Sequence, residues 1–527
     1  MILLAALLCL LEACSRPPDA VPMDILLPDA VAEHFDRAES HLQQGAYEQA
    51  IAEFEIVIQD DPESIIAALA YYRRSLAYLS MGDQSSAWED LNQAIELDPE
   101  YVPAYETRAL IFVDRQEYTR AISDYSLVIE LQPDSVNAYY NRGILYDTLG
   151  RFGLAISDYT AAIDLAPQSA QIYNNRGNSY LNNGQYELAL ADYEQAIVLN
   201  PEYGLPYFNR GRLRLLQEKY QLAINDLSRA MELSSGLSVA YYQRGVAYYY
   251  SGAFQLALDD LNSLLELMPE DADGYFMRAL TLIQMEQYEQ AVADLTLVIE
   301  LAPGSPVAYL NRGIIFEALG RIDEALADYG QVLALDDQNA VALFNRGNIY
   351  LQKGESTLAI ADFDAALLIK PDFAEVYQNR GHTFLSVGRY GEAIRDFTRL
   401  IELTPEDATG YLNRGVAYFN AEDYNLALVD LTKAVSLDPN SSYAYNIRGV
   451  TYLQLNMYQQ AADNFTAAIL LNPEDGELYF NRGVAYLNLD DQDNALLDFQ
   501  ACLERIASES SHEKARQYVR FLGGEQE

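Results

Sequence analysis

Fourteen arginines, from Arg37 and Arg74 to Arg482, each stand before a small residue, and sixteen positions after thirteen of them lies an aspartate or glutamate. Arg142 and Asp158, Arg312 and Asp328, and Arg346 and Asp362 are three such pairs; Asn464 breaks the pattern opposite Arg448. A guanidinium can meet a carboxylate through two parallel N–H···O bonds, so this spacing can build a ladder of ion pairs. A ladder of this kind could grip a charged ligand or tie helices together. The second is the expectation: partly buried pairs, in which loss of one partner strands a charge at a cost of about 3–5 kcal/mol. Gly150 lies eight positions from both Arg142 and Asp158, so a turn there sets the two level on antiparallel helices. The arginine of the next copy is nearly level as well, which leaves pairing within and between copies both open.

Directly before the arginine, eight copies carry an asparagine: Asn141, Asn175, Asn209, Asn311, Asn345, Asn379, Asn413 and Asn481. A carboxamide offers a donor and an acceptor, the complement of one peptide unit of an extended backbone. Asp36, Arg73, Thr107, Gln243, Met277 and Ile447 take the position in the other copies. Catalytic chemistry has no comparable constellation. His34 and His41 share a helix without a third ligand or a nucleophile, His382 stands alone beside Gly381, and His512 lies in the tail. Cys502 occupies a small-residue packing position. With no phosphate-binding glycine loop and no nucleophile elbow, neither an enzyme, a metal centre nor a cofactor is expected.

The elements that carry these residues repeat with a period of 34. Pro133, Pro167, Pro201, Pro269 and Pro303 mark the beat, which Ser235 and Asp337 keep where proline is missing. In residues 136–169, Tyr139, Gly143 and Tyr146 fall on one face of a first helix. Gly150 ends it, Phe152, Ala155, Ile156, Tyr159, Ala162 and Ile163 stripe a second helix, and Pro167 forbids its continuation. A unit of this size cannot bury its apolar face alone and must stack on its neighbours.

The spacing Tyr139-x2-Arg142-Gly143-x2-Tyr146, then Ala155-x3-Tyr159 and Pro167, resembles the tetratricopeptide repeat, with Tyr for the usual Trp and Arg for the usual Leu before the glycine. About 14 units span residues 31–509, with three extra residues around Ile65-Ile66-Ala67; residues 510–527 form a capping helix and tail. The resemblance implies an all-α fold, a right-handed superhelical solenoid of helix-turn-helix repeats whose first helices line a concave groove. It places the asparagines in that groove, in a spacing that resembles the peptide-holding asparagine ladder of O-linked N-acetylglucosamine transferase. Beside them Tyr140, Phe208, Phe344, Ile144, Ile314 and Val450 make the groove apolar, as an interaction surface is.

The chain of 527 residues holds 34 Lys+Arg against 78 Asp+Glu, a net charge of -44, which repels phosphate backbones and excludes a nucleic-acid partner. The expected function is a non-catalytic scaffold that binds other proteins or peptides. The alternative is a carbohydrate- or small-ligand-binding surface protein that stacks sugars on some of its 41 tyrosines. At the N-terminus, residues 1–14 hold an apolar run, Ile2 to Leu11, too short to span a bilayer. Leu11-Glu12-Ala13-Cys14 resembles the lipobox of bacterial lipoproteins, which implies lipidation at Cys14, with residues 15–30 as a tether. The expected location is the bacterial cell envelope, lipid-anchored or exported, with the membrane met only through the lipid. The cytoplasm is the alternative if the leader is not a signal.

Overall fold

The structure is a computed structural model and describes residues 29–234 and 236–523. The leader with Cys14, and the tether as far as residue 28, lie outside the described residues. Among the described residues there are twenty-nine helices and no strand beyond one isolated bridge between Asp475 and Ile506. The chain divides into two compact units, Met1–Pro269 and Glu270–Glu527. The first holds seven helical hairpins, from Asp29–Gln43 with Tyr47–Asp60 to Ser238–Tyr250 with Phe254–Leu267. The second holds seven more, from Ala272–Gln284 with Tyr288–Leu301 to Gly476–Asn488 with Gln492–Leu503, and then a last helix, Glu509–Leu522.

The hairpin Val136–Thr148 with Phe152–Leu165 shows what closes each unit. Ser135 Oγ accepts the Ala138 N–H at 3.3 Å and so satisfies one of the free donors of the first turn. At the other end Gly150 takes φ +69°, and Arg151 N donates back to Tyr146 O at 2.8 Å. The second helix stops at Leu165, two residues before Pro167. Close approach of the two helices depends on Gly143, where a Cβ would sit 2.7 Å from the Tyr159 ring. Six repeats make the same left-handed turn without glycine, at Gln116, Glu218, Glu286, Glu422, Asn456 and Asp490. The three extra residues near Ile65 lengthen a first helix at its start, giving Ile65–Ser80, capped by Ser64.

Within each unit, repeats complete their cores with their successors. Tyr105, Ala109, Tyr125 and Val128 bury against Ala138 and Leu145 from the following first helix. In the second unit Phe363 and Ala366 pack with Val376 in the same way. Glu509–Leu522 takes the place of a further repeat: Tyr518 stacks on Phe499 at 4.6 Å, and Ala515 is buried beside Cys502. Glu477 accepts from Ser508 N and Ser511 Oγ, both at 2.6 Å, and fixes the start of that helix.

Candidate functional site

The arginine ladder pairs within the repeat. Arg142 Nε and one NH2 donate to the two carboxylate oxygens of Asp158, both at 2.8 Å. Arg312 holds Asp328 at 2.8 Å through the same two donors, and Arg346 holds Asp362 at 2.7 Å. The other guanidinium nitrogen reaches back to the preceding repeat: Arg142 to Ser126 Oγ at 2.9 Å, Arg312 to Thr296 Oγ1 at 3.0 Å. Tyr139 and Tyr146 flank the Arg142 guanidinium, one turn before and one turn after it. Asp158, Asp328 and Asp362 are buried, and the bonds they accept raise Arg142, Arg312 and Arg346 above the ordinary arginine range. One residue thus ties two helices of its own repeat and a third from its neighbour.

Two repeats depart from the ladder. Arg37 lies 3.7 Å from Glu53, with His34 bonded between them. Arg448 donates to the amide oxygen of Asn464 at 2.8 Å, so this rung has no carboxylate. Asp226 is shared by Arg210 and Arg214, at 2.7 Å from each.

The asparagines occupy the first helices as expected, but most of their amides are committed to neighbours. In the first unit Asn209 donates to Asn174 at 2.9 Å, Asn174 to Asn175 at 3.2 Å, and Asn175 to the Tyr140 hydroxyl at 2.9 Å. This chain of amides crosses three repeats. Asn141 bonds the hydroxyl of Tyr125, which burial holds well above the ordinary phenol range. In the second unit Asn311 donates to its own helix at Val307 O, 2.8 Å, and Asn345 bonds the Tyr329 hydroxyl. Asn379 donates to Asn348 at 2.8 Å and Asn481 to Asn446 at 3.2 Å. The Asn413 amide nitrogen is buried with no hydrogen-bond partner. The cross-repeat acceptors Asn174, Asn348 and Asn446 were missed by the sequence reading; the signal was there, since each sits three residues before or one after the glycine of the Arg-Gly pair, on the same helical face.

First helices of successive repeats lie side by side from Val136–Thr148 to Ser238–Tyr250 in the first unit and from Ala340–Gln352 to Gly476–Asn488 in the second. Val307, Asn311 and Ile314 fall at i, i+4 and i+7 on the first helix Pro306–Ala318, and Val307 and Ile314 are 51% and 44% exposed. Val341 is likewise exposed on the next. Some of the tyrosines, by contrast, are spent on packing: Tyr159, Tyr193 and Tyr329 are fully buried against Gly143, Gly177 and Gly313 of the first helices. Glu187, Glu289 and Glu324 are exposed at the starts of second helices. Among the described residues no group of three His, Cys, Asp or Glu could hold a metal ion, and no helix is long and apolar enough to cross a membrane.

Sequence profiles described as tetratricopeptide repeat match residues 34–64, 68–101, 108–174, 170–203, 272–305, 310–373, 408–441, 431–462 and 448–510, and one described as TPR repeat matches 381–422. The chain is 31% identical over 101 residues to the tetratricopeptide repeat and J domain-containing co-chaperone DNJ1 of Fusarium oxysporum f. sp. lycopersici, a match of 19% of this chain and 18% of that protein. It is 32% identical over 74 residues to DnaJ homolog subfamily C member 3 of Bos taurus, 14% of either chain. These matches span less than a fifth of the curated relatives' length. Among solved structures it is similar to YrrB, titled a TPR protein with an unusual peptide-binding site (28% identity, 36% of this chain, 97% of that one, TM-score 0.32). It is also similar to the Cut9-Hcn1 hetero-tetramer of the APC/C (18% identity, 94% and 96% covered, TM-score 0.35).

Proposed function

The chain belongs to the tetratricopeptide repeat family, and from that premise we propose that it is a non-catalytic scaffold which takes extended segments of partner proteins along the outward face of its first helices. The observation that carries this reading is the exposed row of Val307, Ile314 and Val341 beside the unbroken run Asn311, Asn345, Asn379 and Asn413. Apolar side chains recurring on one exposed face give a partner area to bury, and an amide that a partner draws away from its present neighbour offers that partner's backbone a donor and an acceptor. The family's role in protein interaction and the one relative named as a co-chaperone support protein partners over small ligands. A photo-crosslinking residue placed at Ile314 captures a partner in cells, while one at Leu358, equally exposed on a second helix, does not. Crosslinking from Leu358 alone moves the site to the second helices.

We further propose that Cys14 is lipidated and holds the scaffold at the bacterial envelope. The resemblance of Leu11-Glu12-Ala13-Cys14 to a lipobox supports it. Cys14→Ser then leaves an unprocessed precursor that takes up no fatty-acid probe; unchanged labelling or mature mass removes the anchor.

A further inference from the structure

The second helices Phe152–Leu165, Tyr186–Leu199, Tyr220–Leu233 and Phe254–Leu267 of the first unit belong to consecutive repeats. Each carries a leucine at its third position: Leu154, Leu188, Leu222 and Leu256, all 46–49% exposed. Arg120 holds that position one repeat earlier. In the second unit only Leu358 and Leu426 stand there, with Glu392 between them, so leucines never fall in successive repeats.

Side chains at the ends of first helices fill the spaces between these leucines. Tyr250, 59% exposed, ends a first helix and stacks on Tyr220, which starts the preceding second helix, with centroids 5.7 Å apart and planes at 14°. Leu216, 68% exposed, holds the same position one repeat earlier, on a first helix that packs on both Tyr186–Leu199 and Tyr220–Leu233. Tyr186 is exposed there as well. One turn along the second helices, Ser157, Ala191 and Asn225 keep the exposed face uncharged. Together the leucines and tyrosines offer roughly 700 Å² of apolar surface, more than scattered surface residues give and close to the 800 Å² or so that each partner contributes to a standard interface.

We propose that this face pairs two copies of the chain about a two-fold axis. The charges around it select that occupant. Arg151 and Lys219 stand just before the first and third of the four helices, exposed, and neither is in an ion pair among the described residues. Glu187 and Asp259 are exposed on the second and fourth. A two-fold axis between the second and third helices sets second against third and first against fourth, and an isologous contact of this kind closes at two copies. Arg151 then faces Asp259 of the other copy and Lys219 faces Glu187, while Glu218 is the acid left over. Leu188 meets Leu222, Leu154 meets Leu256, and Leu216 lies near the axis against itself. The net charge of -44 resists self-association, but at physiological salt a Debye length of about 8 Å confines that repulsion to charges near the contact, and there the face is apolar with a matched rim. The face is separate from the row on the first helices and does not depend on the peptide-binding reading.

Two measurements on the full chain at physiological salt test the pairing. Light scattering after size exclusion should show a dimer for the wild type at micromolar concentration. Leu188→Glu combined with Leu222→Glu should weaken that dimer by at least about thirtyfold, as loss of central interface anchors does, and leave the melting temperature unmoved, because both side chains face water in the single chain. Leu358→Glu combined with Leu426→Glu, equally exposed at the same position of the second unit, should leave the dimer intact. In the second measurement, Leu216→Cys treated with a short bismaleimide should link to itself above the background of the native cysteines, whereas Leu154→Cys should link only when mixed with Leu256→Cys. A wild type that is monomeric throughout overturns the proposal; if that monomer floats with phosphatidylglycerol vesicles and the Leu188 and Leu222 double variant does not, the face belongs to lipid. A dimer that survives the double variant puts the contact elsewhere and also overturns it. Where the double variant melts lower than wild type, Leu216→Cys decides, and no self-link above background removes the face.

Discussion

Glu106 sits half-buried on a first helix, where burial raises its carboxyl above the ordinary range and no cation is among the groups acting on it. A carboxyl whose folded pKa is raised takes up a proton on folding, so it costs stability above that pKa and the cost fades as the pH falls through it. Glu106→Gln should therefore stabilise the protein by about 1 kcal/mol at pH 7 and by nearly nothing below pH 4, read from denaturant midpoints at the two pH values. Substitution in the ladder should instead destabilise. Asp328 is 3% exposed and depends on Arg312, so Arg312→Ala should cost about 3 kcal/mol or more by leaving the carboxylate unpaired. Glu324, exposed and bonded only to Arg321 three residues before it, should cost under about 0.5 kcal/mol as Glu324→Ala. Equal small losses would mean that solvent, not Arg312, satisfies Asp328.

At the scale of the helical hairpin, the turn is where repeats differ in cost. Gly150 and Gly320 enter the left-handed region freely, at φ +69° and +73°, whereas Glu286 is held there at +58°. A side chain in that region costs roughly 1–2 kcal/mol, partly offset because glycine loses more entropy on folding. Glu286→Gly should raise stability by about 0.5–1 kcal/mol, measured as a higher denaturant midpoint, and the same change at Glu218 should do likewise. Hairpins were legible in the sequence because their boundaries are set locally: Gly150 and Pro167 each act within a few residues, and Gly143 meets Tyr159 only sixteen positions on. The bridges between repeats were not. Whether Asp158 takes Arg142 or Arg176 depends on helix offsets that a spacing of 16 or 18 does not decide. That Asn209 turns to Asn174 depends on how two first helices sit 35 residues apart. At Gln116 and Glu286 the repeat keeps its turn without glycine, because the packing of the two helices enforces it regardless.

At the scale of the whole chain the charge balance takes over. The ladder pairs are short and mostly buried, so their attraction lies inside about 3 Å and salt screens it little. The excess of 78 acidic over 34 basic residues is spread over solvated surfaces such as those of Glu187 and Glu289, where its repulsion is long-ranged. That repulsion acts most strongly on the folded chain, which holds the charges closer together than the unfolded one. Raising neutral salt from about 0.01 M to 0.15 M shortens the Debye length from about 30 Å to about 8 Å, which removes the long-range repulsion and leaves the pairs. The melting temperature should therefore rise with salt over this range, and Arg312→Ala should keep the same salt slope as wild type because the pair it breaks is not what salt screens. A melting temperature that falls with salt would place the ion pairs at the solvated surface and return the stability of the stack to charges that water can reach.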